Sequence, residues 1–394
     1  MSHEPPIIWP RLIFNYAGFS ITQMLKSVAV ALISVVVGLV VALQLSGDPL
    51  YSNVDWRIKA LDYGAKGLFH VCGMHAGPRA GKTIFGTDWR ACFELLRPSQ
   101  HVGEWGGVSS TDVDIPYGSG TMKARIFVPT AAVGLLPTMV YFHGGGWTIS
   151  HYNDREYDSL CRQMALLGGW LVVHPEYPLA PENPFPHGLR AAYNALAWVA
   201  HSGHPSLSQF DLSRLLIGGD SAGGNLAAVL TLMCRDGVDV DGRPSNPRIT
   251  LRHQLLVYPG LFPSSPTMSD QTHATAPILA SGIRAFFTLQ YLGADALSLK
   301  TDWRVSPLLA ESFAMLPPAT FVHAEFDPLR DEGAMYVRKL REASVPVVEL
   351  DYGNMPHGFY AFLSLGMDAT MRSIRESVDE VNKALLATTT ENKL

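Results

Sequence analysis

From about residue 108 onward the chain keeps one rhythm, and that rhythm restricts the folds open to it. Short β-branched and apolar runs recur at Thr111 to Pro116, Met122 to Val128, Thr138 to Phe142, Trp170 to His174, Leu215 to Gly218, His253 to Tyr258, Thr320 to His323 and Pro346 to Leu350. Each is short enough to be a single strand. Helical periodicity fills the later gaps, at Tyr157 to Leu167, Leu189 to Ala200, Ala222 to Cys234 and Gly333 to Ala343. Strands alternating with helices of this length predict a mostly parallel sheet covered on both faces. The turn Tyr117-Gly118-Ser119-Gly120 joins the first two strands directly, so that edge is expected to be antiparallel. Ile374, Val378, Val381 and Leu385 repeat at helical spacing and predict a closing helix. One interruption, about 262–310, is too long for a simple connection and reads as an inserted helical lid. At about 150 residues per domain, 394 residues allow two or three domains. The rhythm instead assigns 108–394 to one catalytic domain, with 46–107 as linker and lid helices.

The chemistry sits where strands end. Gly219-Asp220-Ser221-Ala222-Gly223 follows an apolar strand and opens a helix. Glycines beside the serine let the chain turn sharply and leave the Ser221 hydroxyl exposed at the carboxyl edge of the sheet. His143-Gly144-Gly145-Gly146-Trp147 follows the third strand. Consecutive glycines allow backbone N–H groups to converge on an oxygen that turns negative during acyl transfer, so Gly144, Gly145 and Gly146 with the N–H of Ala222 form the candidate oxyanion hole. A serine needs a base to take its proton, and the base needs a carboxylate to orient it. His357, in Pro356-His357-Gly358-Phe359 after the last strand, is the candidate base. Asp327, after the seventh strand, is the candidate acid, with Asp331 and Glu325 as its rivals. His143 and Asp220 support the two motifs. His174, His201 and His204 read as packing or surface residues.

The N-terminus carries a different signal. No ionisable side chain occurs from Ser27 to Gly47, and Val28 to Leu45 is 18 residues of almost unbroken apolar sequence. That is enough to cross a bilayer core of about 30 Å. A tail of 27 residues precedes it and no small-x-small cleavage site follows, which favours an uncleaved signal anchor over a removed signal peptide. Basic residues flank the span almost evenly, so charge does not orient it.

HGGGW, GDSAGG, the segment Tyr177 to Glu182 with Phe185-Pro186, DPLRDE at 327–332 and HGF at 357–359 together resemble the hormone-sensitive lipase group of α/β-hydrolases over about 108–386. With the anchor, the chain looks most like the arylacetamide deacetylase and neutral cholesterol ester hydrolase branch, whose members are single-pass membrane esterases. Tyr-Pro-Leu-Ala-Pro-Glu stands where that group usually has Tyr-Arg-Leu-Ala-Pro-Glu, and Asn-x-Ser/Thr sequons are absent. The resemblance implies an α/β-hydrolase fold, with an eight-stranded mostly parallel sheet flanked by helices, a helical lid and an N-terminal transmembrane helix. It implies Ser221 as nucleophile, His357 as base and acid, and Asp327 as orienting carboxylate, with no cofactor and no metal. The expected substrate is an apolar ester or amide, with a long-chain lipase or sterol ester hydrolase as the alternative, and the branch implies residence in the endoplasmic reticulum. Phe286, Phe287, Tyr291 and Trp303 are candidates for lining the pocket, with simple packing of the insertion as the equal alternative.

Other classes fit less well. A net charge of −5 gives no basic field for nucleic acid. Cys72, Cys92, Cys161 and Cys234 lie too far apart for a zinc site. Ala76 to Thr83 nearly spells a phosphate loop but lacks its first glycine and the strand and long helix around it. Asp239-x-Asp241-Gly242 lacks the closing Glu of a calcium loop and reads as a turn. A small-ligand receptor of the same fold is expected to lack the catalytic histidine, which is present here.

Overall fold

The structure is a computed structural model that describes residues 54–59, 62, 106–201, 204, 208–245, 247–263 and 266–391. The apolar run 28–45, the loop 76–83 and nearly all of the linker lie outside the described residues. Among those described, no helix is long and apolar enough to cross a membrane.

All eight expected strands form. They are β1 (Val108–Tyr117), β2 (Gly120–Pro129), β3 (Leu136–Phe142), β4 (Leu171–Pro175), β5 (Phe210–Asp220), β6 (His253–Val257), β7 (Ala319–Phe326) and β8 (Val347–Pro356). They make one sheet in the order β1-β2-β4-β3-β5-β6-β7-β8. β1 pairs antiparallel with β2 through the expected turn, and β2 also runs antiparallel to β4, whereas every pair beyond is parallel. β4 and β6 are buried along their whole length, as strands covered on both faces must be.

The helices are α1 (Arg155–Gly168), α2 (His187–His201), α3 (Ala222–Asp236), α4 (Met268–Thr272), α5 (Ser281–Leu292), α6 (Arg330–Glu342) and α7 (Asp368–Glu391). Two apolar layers separate on the sheet. One face is packed by α2, α3 and α6, and the other by α1 with Ile374, Val378, Val381 and Leu385 of α7. The interruption before β7 contains α4, α5 and three 3₁₀ turns. β3 lies between β4 and β5, so the strand order reverses there. The loops leaving β3 and β5 are thus neighbours at the carboxyl edge, the place where open α/β sheets bind ligands.

Candidate active site

Ser221 stands between β5 and α3 with φ 54 and ψ −117, a conformation that L residues rarely adopt. Such strain costs of order 1–3 kcal/mol and persists only where the surroundings impose it. Here its N–H donates to the Val257 carbonyl at 2.9 Å, and its own carbonyl accepts from Asn225 and Gly260 at 3.0 and 3.1 Å. Gly223 is required by close approach, since a Cβ there would run into the carbonyl oxygens of Phe142 and His143. The first turn of α3 is therefore pressed against the end of β3, and the serine hydroxyl is aimed outward.

The structure brings the other two expected residues to that hydroxyl. His357 Nε2 is 2.8 Å from Ser221 Oγ, and His357 Nδ1 is 2.8 Å from Asp327 Oδ2. The second Asp327 oxygen accepts the Leu329 N–H at 2.8 Å, which fixes the carboxylate. All of this chemistry sits in a mostly dry setting, with Asp327 1% and His357 6% exposed. The rival acids are engaged elsewhere: Asp331 accepts the Ser269 N–H at 2.7 Å, and Glu325 accepts the Asn354 N–H at 2.7 Å.

The glycine loop after β3 divides in two. Among the described residues no acceptor meets the N–H groups of Gly145, Gly146 or Ala222, which leaves all three without an internal partner. Gly144 departs from the sequence expectation, because its N–H already donates to Tyr157 Oη at 2.8 Å and Asp220 Oδ1 at 3.1 Å. A turned-in Gly144 anchors the loop through these two bonds. Gly146 has φ 58, and a Cβ on it would strike the Phe287 ring.

Behind this loop lies a polar knot that local sequence does not announce. Asp220 accepts hydrogen bonds from Tyr157 at 3.0 Å and Tyr141 at 3.2 Å as well as from Gly144. Burial lifts its carboxyl to about 6, against the pull of those donors. The His143 ring stacks on Tyr177 at 4.3 Å, and the Tyr177 hydroxyl donates to the His143 carbonyl at 2.9 Å. His174 is likewise a packing residue: burial lowers it to about 3, with Nδ1 2.8 Å from the Tyr141 carbonyl. In the sequence Tyr157 shows only as the start of a helical run and Tyr141 as part of a strand, whereas Tyr177 opens one of the segments that carry the family resemblance.

The insertion's aromatics pack as much as they line. Tyr291 stacks on Trp147 at 4.2 Å and Phe286 is buried, whereas Phe287 touches the oxyanion loop itself. Asp239 and Asp241 form an ordinary turn: Asp239 Oδ1 accepts the N–H groups of Asp241 and Arg243, and Asp241 pairs with Arg190. Cys161 and Cys234 are buried free thiols, and burial raises both.

The comparisons with known proteins agree with this geometry. A family model described as alpha/beta hydrolase fold matches residues 139–361. The chain is similar to the carboxylic ester hydrolase LipN of Mycobacterium tuberculosis, 37% identical over 260 residues that make up 66% of each chain. It is 26% identical to mouse (Mus musculus) arylacetamide deacetylase over 71% of this chain and 82% of that one. Among solved structures, EstE1, a carboxylesterase cloned from a metagenomic library, is 34% identical with TM-score 0.62, over 70% of this chain and 89% of that one. The chain belongs to the α/β-hydrolase fold family, in its hormone-sensitive-lipase-like group. Within that group it is a hydrolase of the carboxylesterase type, with arylacetamide deacetylases among its relatives.

Proposed function

We propose that the chain hydrolyses carboxylic esters of apolar acids or alcohols through an acyl-enzyme on Ser221. The observation that carries this reading is the continuous relay from Ser221 Oγ through His357 to Asp327, at 2.8 Å in both steps. Ser221 Oγ attacks the carbonyl carbon while its proton passes to His357 Nε2, and Asp327 stabilises the imidazolium at Nδ1. The tetrahedral oxygen accepts from the N–H groups of Gly145, Gly146 and Ala222. Collapse expels the alcohol, protonated by His357. Water, deprotonated by the same ring, then releases the acid.

The insertion serves as the lid in this reading, a role supported by Phe287 lying against Gly146. In this reading residues 28–45 anchor the protein as a single-pass helix, with residence in the endoplasmic reticulum as the branch resemblance implies, and the likeness to a protein named arylacetamide deacetylase supports activity on amides or acetyl esters. The test is hydrolysis of nitrophenyl esters from acetyl to palmitoyl in detergent, beside Ser221→Ala. Turnover should fall by at least about 10³-fold in the variant without loss of folding. A maximum at short chains supports the deacetylase-like esterase, and one at long chains the lipase or sterol ester hydrolase. Well-folded protein with no serine-dependent turnover on any ester would leave a ligand-binding member of the fold.

A further inference from the structure

A short segment far upstream of the catalytic domain reaches the histidine loop. Residues 54–59 and 62 pack on the body of the protein, with Val54 4%, Ile58 0% and Asp62 0% exposed. Arg57 Nη1 donates to the carbonyls of Leu365 and Gly366 at 3.1 and 2.9 Å, in the chain that follows His357. The Asp62 carboxylate accepts the N–H of Ile278 at 2.7 Å, in the insertion. Arg57 and Asp62 therefore tie the chain that follows His357 and the insertion to one short segment.

Ile278 is an unusual place for such a contact. Its φ is 68, which costs a β-branched side chain of order 1–3 kcal/mol; the Leu279 N–H closes the turn on the Pro277 carbonyl at 2.8 Å, and Asp62 takes the Ile278 N–H. Its Cγ2 lies 3.6 Å from where a Cβ on Gly358 would stand, and the Phe362 ring closes the same spot from 2.9 Å. Gly358 follows the histidine directly and itself has φ 84. Ile278 and the Phe362 ring thus wall the space beside Gly358, so a shift of the Ile278 backbone changes the packing next to the residue that follows His357.

We infer that Asp62 is a positioning residue for the hydrolytic reaction: its carboxylate holds Ile278 in the strained conformation that buttresses Gly358 and keeps His357 on Ser221. The inference rests on the reading of Ser221 and His357 as the reacting pair. Its physical logic is that a misplacement of a fraction of an ångström at a base costs rate more than it costs affinity.

The test uses the full chain in detergent. D62A should lower kcat about tenfold with KM changed less than about twofold, while D62N, whose amide oxygen still accepts from Ile278, stays within about threefold of the wild type. Glycine takes a positive φ without strain, so in the I278G background the D62A loss should shrink to about twofold. Amide exchange at residue 278 should be faster in D62A than in wild type, a readout that needs no turnover. Equal exchange in the two proteins, an equal D62A loss with and without I278G, or a D62N loss as large as that of D62A would each overturn the inference. If D62A does not fold, D62S, whose shorter side chain does not reach the Ile278 N–H, takes its place in the kinetic and exchange comparisons with D62N, with the same outcomes. Absence of Ser221-dependent turnover in the wild type would instead count against the esterase reading, and the exchange comparison would still decide whether Asp62 holds Ile278.

Discussion

Two residues of the glycine loop behave oppositely although the sequence spells them alike. Gly144 is bound inward by Asp220 and Tyr157, whereas Gly146 faces the insertion with no acceptor for its N–H among the described residues. Gly146→Ala combines a collision with the Phe287 ring and a φ that alanine resists, so it should cost about 10²-fold in kcat. Adding Phe287→Ala should recover only part of that loss, because the backbone strain remains. Full recovery would show that sterics alone set the requirement. Asp220→Asn turns an acceptor-only group into one carrying an NH₂ that faces the Gly144 N–H or the tyrosine hydroxyls. It should lower kcat by about tenfold while KM holds, and a variant at wild-type kcat would remove Asp220 from the anchoring of the loop. Ser221, Asp327 and His357 were legible because each follows a strand and carries its own local spelling. Tyr157 and Asp62 were not, since their partners lie 63 and 216 positions away and nothing nearby in the chain marks the contact.

Among the elements, α6 ties the acid's loop to the insertion through one buried carboxylate. Glu332 accepts the N–H groups of Leu261 and Phe262 at 3.0 Å each, with Arg284 of α5 3.3 Å away. Burial outweighs these partners and lifts the carboxyl from 4.5 to about 7. Between those values the folded protein keeps a proton that the unfolded chain has lost. Stability therefore falls as pH rises from about 4.5 to 7, by roughly 3 kcal/mol if this group acts alone. Glu332→Gln has no such proton to lose. Relative to that variant, the wild type should weaken through this window in denaturant melts, and a gap constant with pH would contradict the assignment. The strands themselves were readable from β-branched runs, including the antiparallel hairpin. The antiparallel pairing of β2 with β4 was not, because strand order depends on long-range packing that periodicity does not encode. The insertion's length was evident, whereas which of its aromatics meet the site required the fold: Tyr291 turned to Trp147 and Phe287 to the glycine loop.

At the scale of the molecule, an α/β body follows a strongly apolar run in the sequence. The proposed anchor predicts that the full chain stays with membranes through a high-salt or alkaline carbonate wash and is released by detergent. Release by salt alone would restrict residues 28–45 to surface attachment or burial. The sheet, its two helical layers and the catalytic edge belong to a single body, and its reacting groups come from distant parts of the chain. The serine and histidine are 136 positions apart. During synthesis at about 5–20 residues per second, the growing chain carries the nucleophile for roughly ten seconds before its base has been made. If the proposed pair is the reacting one, a nascent or prematurely terminated product that lacks His357 would be silent towards esters. On the proposed mechanism reactivity would arise only once the last strand has joined the sheet and brought His357 to Ser221, so the order of translation would act as a built-in safety catch.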